Sequence, residues 1–168
     1  IIESNQSSAV HAELTPSVDT EGFRSMDPHS HASPSGDGRV HMEGRLLATA
    51  AHGVDIHVGT DHDHVVDYGV LLEPLGLTDH LATIIADEVS PTLRGHHNAY
   101  PLESVPGEPN GGAFRWWNSW REWSNTTGFH ERARKMRSDG DIILQANHPT
   151  GSSGLFGNAG YDPVAGTI

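Results

Sequence analysis

The chain has 168 residues and a formal net charge of -12, with 13 His and no Cys. This length suits one ordinary domain. The absence of Cys excludes thiolate zinc sites, disulfides and cysteine nucleophiles, and an acidic chain without a basic stripe is a poor partner for nucleic acid. No stretch approaches the ~18 apolar residues of a membrane-spanning helix. We therefore expect a soluble protein, cytoplasmic or exported, whose excess of imidazoles needs an explanation.

Residues 1–22 are polar and rich in Ser and Thr, which is typical of a leader or linker, with one short strand predicted over 10–14. Residues 23–168 contain recurring apolar runs, and we assign them to a single domain. Strands are predicted over 26–32, 55–60, 81–86, 98–102 and 141–146. Helices are predicted over 42–52, 66–75 and 127–138, with a further short helix that carries Trp116, Trp120 and Trp123. Strands that alternate with helices indicate an α/β fold with a parallel sheet.

Polar residues directly follow three of the predicted strands, namely His62, Glu88 and His148. In parallel α/β folds the chemistry gathers at the carboxyl ends of the strands. We therefore expect these three side chains to lie close together.

His29 and His31 are two residues apart, so on a strand both imidazoles point to the same side and can bind one metal ion. Asp27 has the same parity and can orient one of the two rings. The alternative interpretation is a pair of surface histidines in a loop.

His62 lies in an acidic run, in which Asp61 or Asp63 can act as a ligand or orient one. The alternative there is a solvated polar turn. Glu88 would be costly to bury unpaired, and a position between two cations would remove that cost. The alternative for Glu88 is a solvated strand end.

His96 and His97 are neighbours, so an extended segment directs only one of them into a site, and we favour His96. His148 stands between Asn147 and Pro149, and the proline stiffens the turn that presents it. Together the histidines and carboxylates form the mixed nitrogen and oxygen set that suits Zn, Mn or Fe. Metal ions held in this way activate water for hydrolysis.

Short motifs around these residues resemble, in order, those of the PHP (polymerase and histidinol phosphatase) metallohydrolases, and look most like the carbaryl-hydrolase-like branch. The motifs are Asp27-Pro-His-Ser-His31, the turn at Asp37, Gly59-Thr-Asp-His62, Glu88-Val-Ser90, Gly95-His-His-Asn-Ala-Tyr-Pro-Leu102 and Asn147-His-Pro149. The resemblance covers about residues 23–157. It implies a distorted (β/α)7 TIM-like barrel with two or three divalent metal ions.

The resemblance also implies a set of metal ligands: His29, His31, Asp37, His62, Glu88, His96 and His148. The first two histidines would hold one ion, the glutamate would bridge it to a second ion on the last two histidines, and Asp37 and His62 would hold a third. We expect Glu88, His148 and Asp61 to be the catalytic residues. The expected activity is hydrolysis of a phosphoester, or of an ester or carbamate, in a small-molecule substrate. The alternative is a non-catalytic, His-rich metal-binding protein or a degenerate PHP barrel.

The family's last motif, an Asp-x-His, does not occur after His148. We therefore expect the chain to stop before the barrel closes, with an incomplete metal site and reduced activity or none. Pro28 and Ala32 also depart from the family's usual residues, so we expect the first strand to be set differently.

Overall fold

The computed structural model describes residues 7, 9–13, 19–91, 95–114, 142–159 and 162–166. In this part of the chain, six strands form two three-stranded sheets. The strands are β1 (Met26–Ser30), β2 (Ile56–Gly59), β3 (Ala82–Ile85), β4 (Asp87–Val89), β5 (His97–Tyr100) and β6 (Ile143–Ala146). The helices are α1 (Met42–Ala51), α2 (Leu155–Ala159) and two 3-10 helices, Tyr68–Leu71 and Pro109–Gly112. None of these described helices is long and apolar enough to cross a membrane.

The first sheet is parallel, with the strand order β1-β2-β3, and α1 lies on the connection between β1 and β2. Leu46 of α1 has no exposed surface, whereas Leu47 on the neighbouring face is 48% exposed. Leu46 belongs to a core cluster with Ala32, Tyr68 and Leu81. Met42, Leu46 and Ala50 recur in the sequence at the spacing of one helix face, and this is the face that packs on the core.

The second sheet is antiparallel, with the strand order β4-β5-β6. The predicted distorted (β/α)7 TIM-like barrel is therefore wrong: the described residues form one parallel and one antiparallel sheet, and no barrel is apparent. Connection length explains part of the difference. Only residues 90–96 separate β4 from β5, whereas a crossover between parallel strands needs roughly a dozen residues or more.

The two sheets meet at a short junction. Ala86 alone separates β3 from β4. His62, which follows β2, forms an isolated parallel bridge with Glu88 in the middle of β4. The carboxyl end of β2 therefore lies directly beside β4, and this contact positions the residues of the site.

Other predicted elements have mixed outcomes. The helix predicted over 66–75 is reduced to the 3-10 turn Tyr68–Leu71, and no strand forms at 10–13. The sequence does not predict α2, because the segment that contains it lacks a clear apolar period. The helix predicted over 127–138 and the helix of Trp residues lie outside the described residues.

Gly59 lies against the buried ring of Tyr68, and a Cβ at this position would be 2.5 Å from two ring carbons. The ring has little room to move, because Tyr68 is 1% exposed and its hydroxyl group donates to Asp61. We expect Gly59→Ala to lower the free energy of unfolding by about 2 kcal/mol, as overpacking of a core does. Urea denaturation measures this change. The control is Gly36→Ala, whose Cβ would meet nothing within 4 Å, and equal stability of the two variants would contradict the prediction.

His57 of β2 is a buried histidine that should make the stability of the chain depend on pH. It has no exposed surface, and neither ring nitrogen has a hydrogen-bond partner among the described residues. Burial lowers its pKa from 6.5 to about 4. As pH falls, the unfolded chain therefore takes up this proton first, and the stability present above pH 6.5 is lost between pH 6.5 and about 4.

Between about pH 7 and pH 5, we expect the free energy of unfolding to fall by ~2 kcal/mol more in the unaltered chain than in His57→Phe. Equal losses in urea denaturation would rule out this origin.

Candidate metal centre

Glu88 lies at the centre of the site and has no exposed surface. A buried carboxylate is costly unless its neighbours compensate the charge. Five histidines place a ring nitrogen within 3.3 Å of its oxygens: His29, His31, His62, His96 and His148. These side chains come from both sheets, so the carboxylate joins the two halves of the described fold.

Oε2 of Glu88 faces three of these imidazoles. It lies 3.3 Å from Nε2 of His29, 2.9 Å from Nε2 of His31 and 3.0 Å from Nδ1 of His62. The two Nε2 atoms are 3.1 Å apart. Ligand atoms bound at about 2.1 Å to one cation are separated from each other by roughly 3.0–3.4 Å. The triangle formed by Oε2 and the two Nε2 atoms therefore has the size of one face of a metal coordination shell.

Oε1 of Glu88 faces the other two imidazoles. It lies 3.3 Å from Nδ1 of His96 and 3.3 Å from Nε2 of His148, and it accepts a 2.8 Å hydrogen bond from the amide of Asn147. His96 precedes β5 and His148 follows β6. Because these two strands pair antiparallel, the start of one and the end of the other lie side by side.

Asp37 supports the site from the turn that follows β1. Its Oδ1 lies 3.1 Å from Nδ1 of His31. A hydrogen bond here places the proton on Nδ1 and leaves the lone pair of Nε2 facing Glu88. Asp37 Oδ1 also accepts a 2.6 Å hydrogen bond from the Ser35 hydroxyl group, and Oδ2 lies 3.6 Å from Nε2 of His62. The turn therefore fixes the orientation of one ligand and approaches a second.

The pKa values of these groups depend on one another. Burial raises the pKa of Glu88, but its imidazole neighbours, His29 first among them, outweigh burial and hold this pKa below its ordinary value. Burial lowers the pKa of His31, yet the carboxylates of Glu88 and Asp37 outweigh it and raise the pKa overall. For His62 burial prevails, and the pKa is lowered. The directions of these shifts favour the ionised form of Glu88, the charged form of His31 and the neutral form of His62.

The cluster forms the wall of an open cavity of about 350 Å³. Asp37 and His148 lie at its exposed side, with side chains 59% and 40% exposed. Residues 151–153, a Gly and two Ser, complete the lining. A cavity of this size admits a small molecule.

Two buried atoms of the cluster, Oε2 of Glu88 and Nδ1 of His96, make no hydrogen bond among the described residues. Buried polar atoms in proteins are nearly always paired, and a cation bound beside each of these two atoms would satisfy it. Three groups of side chains offer ligand atoms within 4.8 Å of one another: His29–His31–Glu88, His31–Asp37–His62 and His62–Glu88–His96. This mixture of imidazole and carboxylate groups could hold a metal ion.

The structure brings together all the residues that the sequence nominates as metal ligands: His29, His31, Asp37, His62, Glu88, His96 and His148 line one cavity. Asp61 does not line it. Its Oδ1 accepts a 2.8 Å hydrogen bond from the backbone N–H of Ala32, and its Oδ2 accepts a 2.6 Å bond from the hydroxyl group of Tyr68. Its position assigns Asp61 to the core of the parallel sheet rather than to the cavity.

Two side chains that the sequence motifs include, but to which sequence reasoning assigns no role, contact the cluster. Ser90 places its hydroxyl group 2.5 Å from Nδ1 of His62. Its position two residues after Glu88, on the same side of an extended strand, is the signal that could have identified it. Asn147 is 59 residues from Glu88, to which its amide donates, and no local spacing signals that contact.

Comparison of the chain with protein-family models, with curated proteins and with solved structures finds no match. No family is identified in this way. The function therefore has to be argued from the geometry and chemistry of the cavity.

The hydroxyl group of Tyr68 compensates the buried charge of Asp61, which has no exposed surface. We expect Tyr68→Phe to lower the free energy of unfolding by about 2 kcal/mol, the usual size of a hydrogen bond to a charged group. Urea denaturation of this variant, of Asp61→Asn and of the double variant should show coupling between the two positions. Tyr100→Phe is the matched control, because it removes a bond to the neutral Gln145 and should cost about 1 kcal/mol. Additive losses in the double variant would refute the pairing.

Proposed function

We propose that the chain is a metal-dependent hydrolase domain that uses metal-activated water on a phosphoester, or on an ester or carbamate. One observation carries the proposal: five imidazole nitrogens converge on both oxygens of a fully buried carboxylate, at the wall of an open cavity. The order of the motifs, which resembles that of the PHP metallohydrolases, supports the same reaction class. The proposal rests on the site and does not require the barrel.

We assign two divalent cations, Zn, Mn or Fe, to the two sides of Glu88. Oε2 with His29 and His31 forms one set of ligand atoms, and Oε1 with His96 and His148 forms the other. A carboxylate that offers one oxygen to each side would hold both cations, and their positive charges would offset the cost of burying its own charge. A third cation at Asp37 and His62, which the resemblance implies, would compete with the hydrogen bond between Asp37 and His31.

Cations held in this set lower the pKa of water and polarise the scissile group. The chain's own residues would hold the cations, orient the ligand rings and border the substrate. By accepting a hydrogen bond from Nδ1–H of His31, Asp37 would leave the Nε2 lone pair of that ring for a cation beside Glu88. His148 and the loop 151–153 border the open side, where they would contact the substrate. The cavity and the net charge of -12 favour a small molecule over nucleic acid.

The first test measures bound metal and turnover on the same protein. We expect the purified chain, loaded with Zn or Mn, to hold at least two equivalents and to hydrolyse an aryl phosphate or an aryl ester. Glu88→Ala should lose more than one equivalent at once, because both cations share this carboxylate, and any turnover should fall roughly 100-fold or more. Elemental analysis after desalting and product absorbance report the two quantities.

Glu73→Ala is the matched control, since it removes an exposed glutamate and should change neither quantity. Loss of a single equivalent in Glu88→Ala would refute the bridging role. Tight binding of metal without turnover would identify a metal-binding protein in place of a hydrolase.

A further inference from the structure

A row of polar side chains crosses the antiparallel sheet and ends at the site. Glu88 pairs with Asn98 across β4 and β5, and Asn98 pairs with Gln145 across β5 and β6. Paired residues on neighbouring strands present their side chains on the same face. Asn147, two residues after Gln145, donates to Glu88 and Asn98 and so completes the row. Glu88 and Asn98 have no exposed surface, and Asn147 is 1% exposed.

One end of the row fixes the direction of every amide in it. The carbonyl oxygen of Pro28 only accepts, so Asn98 must present its Nδ2 there, at 2.7 Å. The Oδ1 of Asn98 then accepts from Nδ2 of Asn147 at 2.6 Å. The second hydrogen of the same Nδ2 donates to Oε1 of Glu88 at 2.8 Å.

The other end holds the same orientation. Nε2 of Gln145 donates to Oδ1 of Asn147 at 3.4 Å, and the hydroxyl group of Tyr100 donates to Oε1 of Gln145 at 2.9 Å. If the Asn147 amide turned over, donors would face donors and its oxygen would face the Glu88 carboxylate. Such mismatches between buried polar groups cost a large amount of free energy. The amide therefore has one orientation, and it acts on only one of the two Glu88 oxygens.

Building on the metal-binding function proposed above, we propose that Asn147 is a positioning residue that makes the two cation sites unequal. Its amide holds Glu88 by Oε1 and directs Oε2 at the imidazoles of His29 and His31. The site on Oε2 is then the tighter of the two, and the site on Oε1 is the weaker.

The two cation sites differ in affinity because the two oxygens of Glu88 have different neighbours. Oε1 already gives electron density to the Asn147 hydrogen bond, so it is a weaker ligand for a cation near His96 and His148. Oε2 has no amide donor, and three imidazole nitrogens lie within 3.3 Å of it. A cation beside His29 and His31 meets an oxygen that is oriented and not shared with an amide.

Stepwise titration of the metal-free chain with Zn²⁺ alone, followed by calorimetry, tests the proposal. We expect two dissociation constants in the unaltered chain. In Asn147→Ala the tighter site weakens because Glu88 loses its orientation, and the weaker site tightens because Oε1 is released. The ratio of the two constants should therefore fall roughly tenfold or more. A merely structural role would weaken both sites together and leave the ratio unchanged, and that result would overturn the proposal.

Glu73→Ala is the control, because it removes an exposed glutamate outside the row, and it should keep the ratio. Circular dichroism of each metal-free variant checks folding. If Asn147→Ala does not fold, Asn98→Ala gives the same test, since it leaves Glu88 its donor but removes the acceptor that directs the Asn147 amide. Its ratio should fall by a smaller factor, and an unchanged ratio in the folded variant would overturn the proposal.

The titration also separates this inference from the proposed function. An unaltered chain that binds no Zn²⁺ contradicts both. Two sites with equal constants, or a ratio that Asn147→Ala leaves unchanged, contradict the role of Asn147 alone.

Discussion

The carboxylate of Glu88 has no exposed surface although it lines a cavity, so the surrounding protein must supply most of the compensation that solvent gives to an exposed charge. The structure meets this requirement from two directions. The parallel sheet brings imidazoles to one oxygen, and the antiparallel sheet brings imidazoles and an amide to the other. The one-residue junction at Ala86 makes this possible, because it turns the chain from β3 directly into the strand that carries Glu88.

Periodicity in the sequence is enough to find the local elements of the parallel half. The stripe of Met42, Leu46 and Ala50 predicts α1 and its buried face, and the apolar runs predict β2 and β3. Strand direction is another matter, since it depends on pairing between distant segments. The expectation of a parallel barrel fails at β5, where residues 90–96 leave no room for a crossover helix.

The candidate site could be predicted further than the fold, because clustered imidazoles and carboxylates leave a chemical signature in the sequence that does not depend on strand direction. His29 and His31 show it in their spacing, and His148 shows it in its place after an apolar strand. Asp61 shows where prediction of site residues from their place in the sequence fails. Side chains alternate along an extended chain, so Asp61 faces Tyr68 and the core, and the next residue, His62, turns to the cavity.

The residues around Glu88 come from positions as far apart in the chain as His29 and His148. A cation bound among them would act as a cross-link that closes a long loop, much as a disulfide does in a chain that has Cys. Because the cation binds only the folded arrangement, each increment of free metal would shift the folding equilibrium toward the native state. In a chain with no Cys, the concentration of free metal would then determine the fraction of folded chain as well as the chemistry of the cavity.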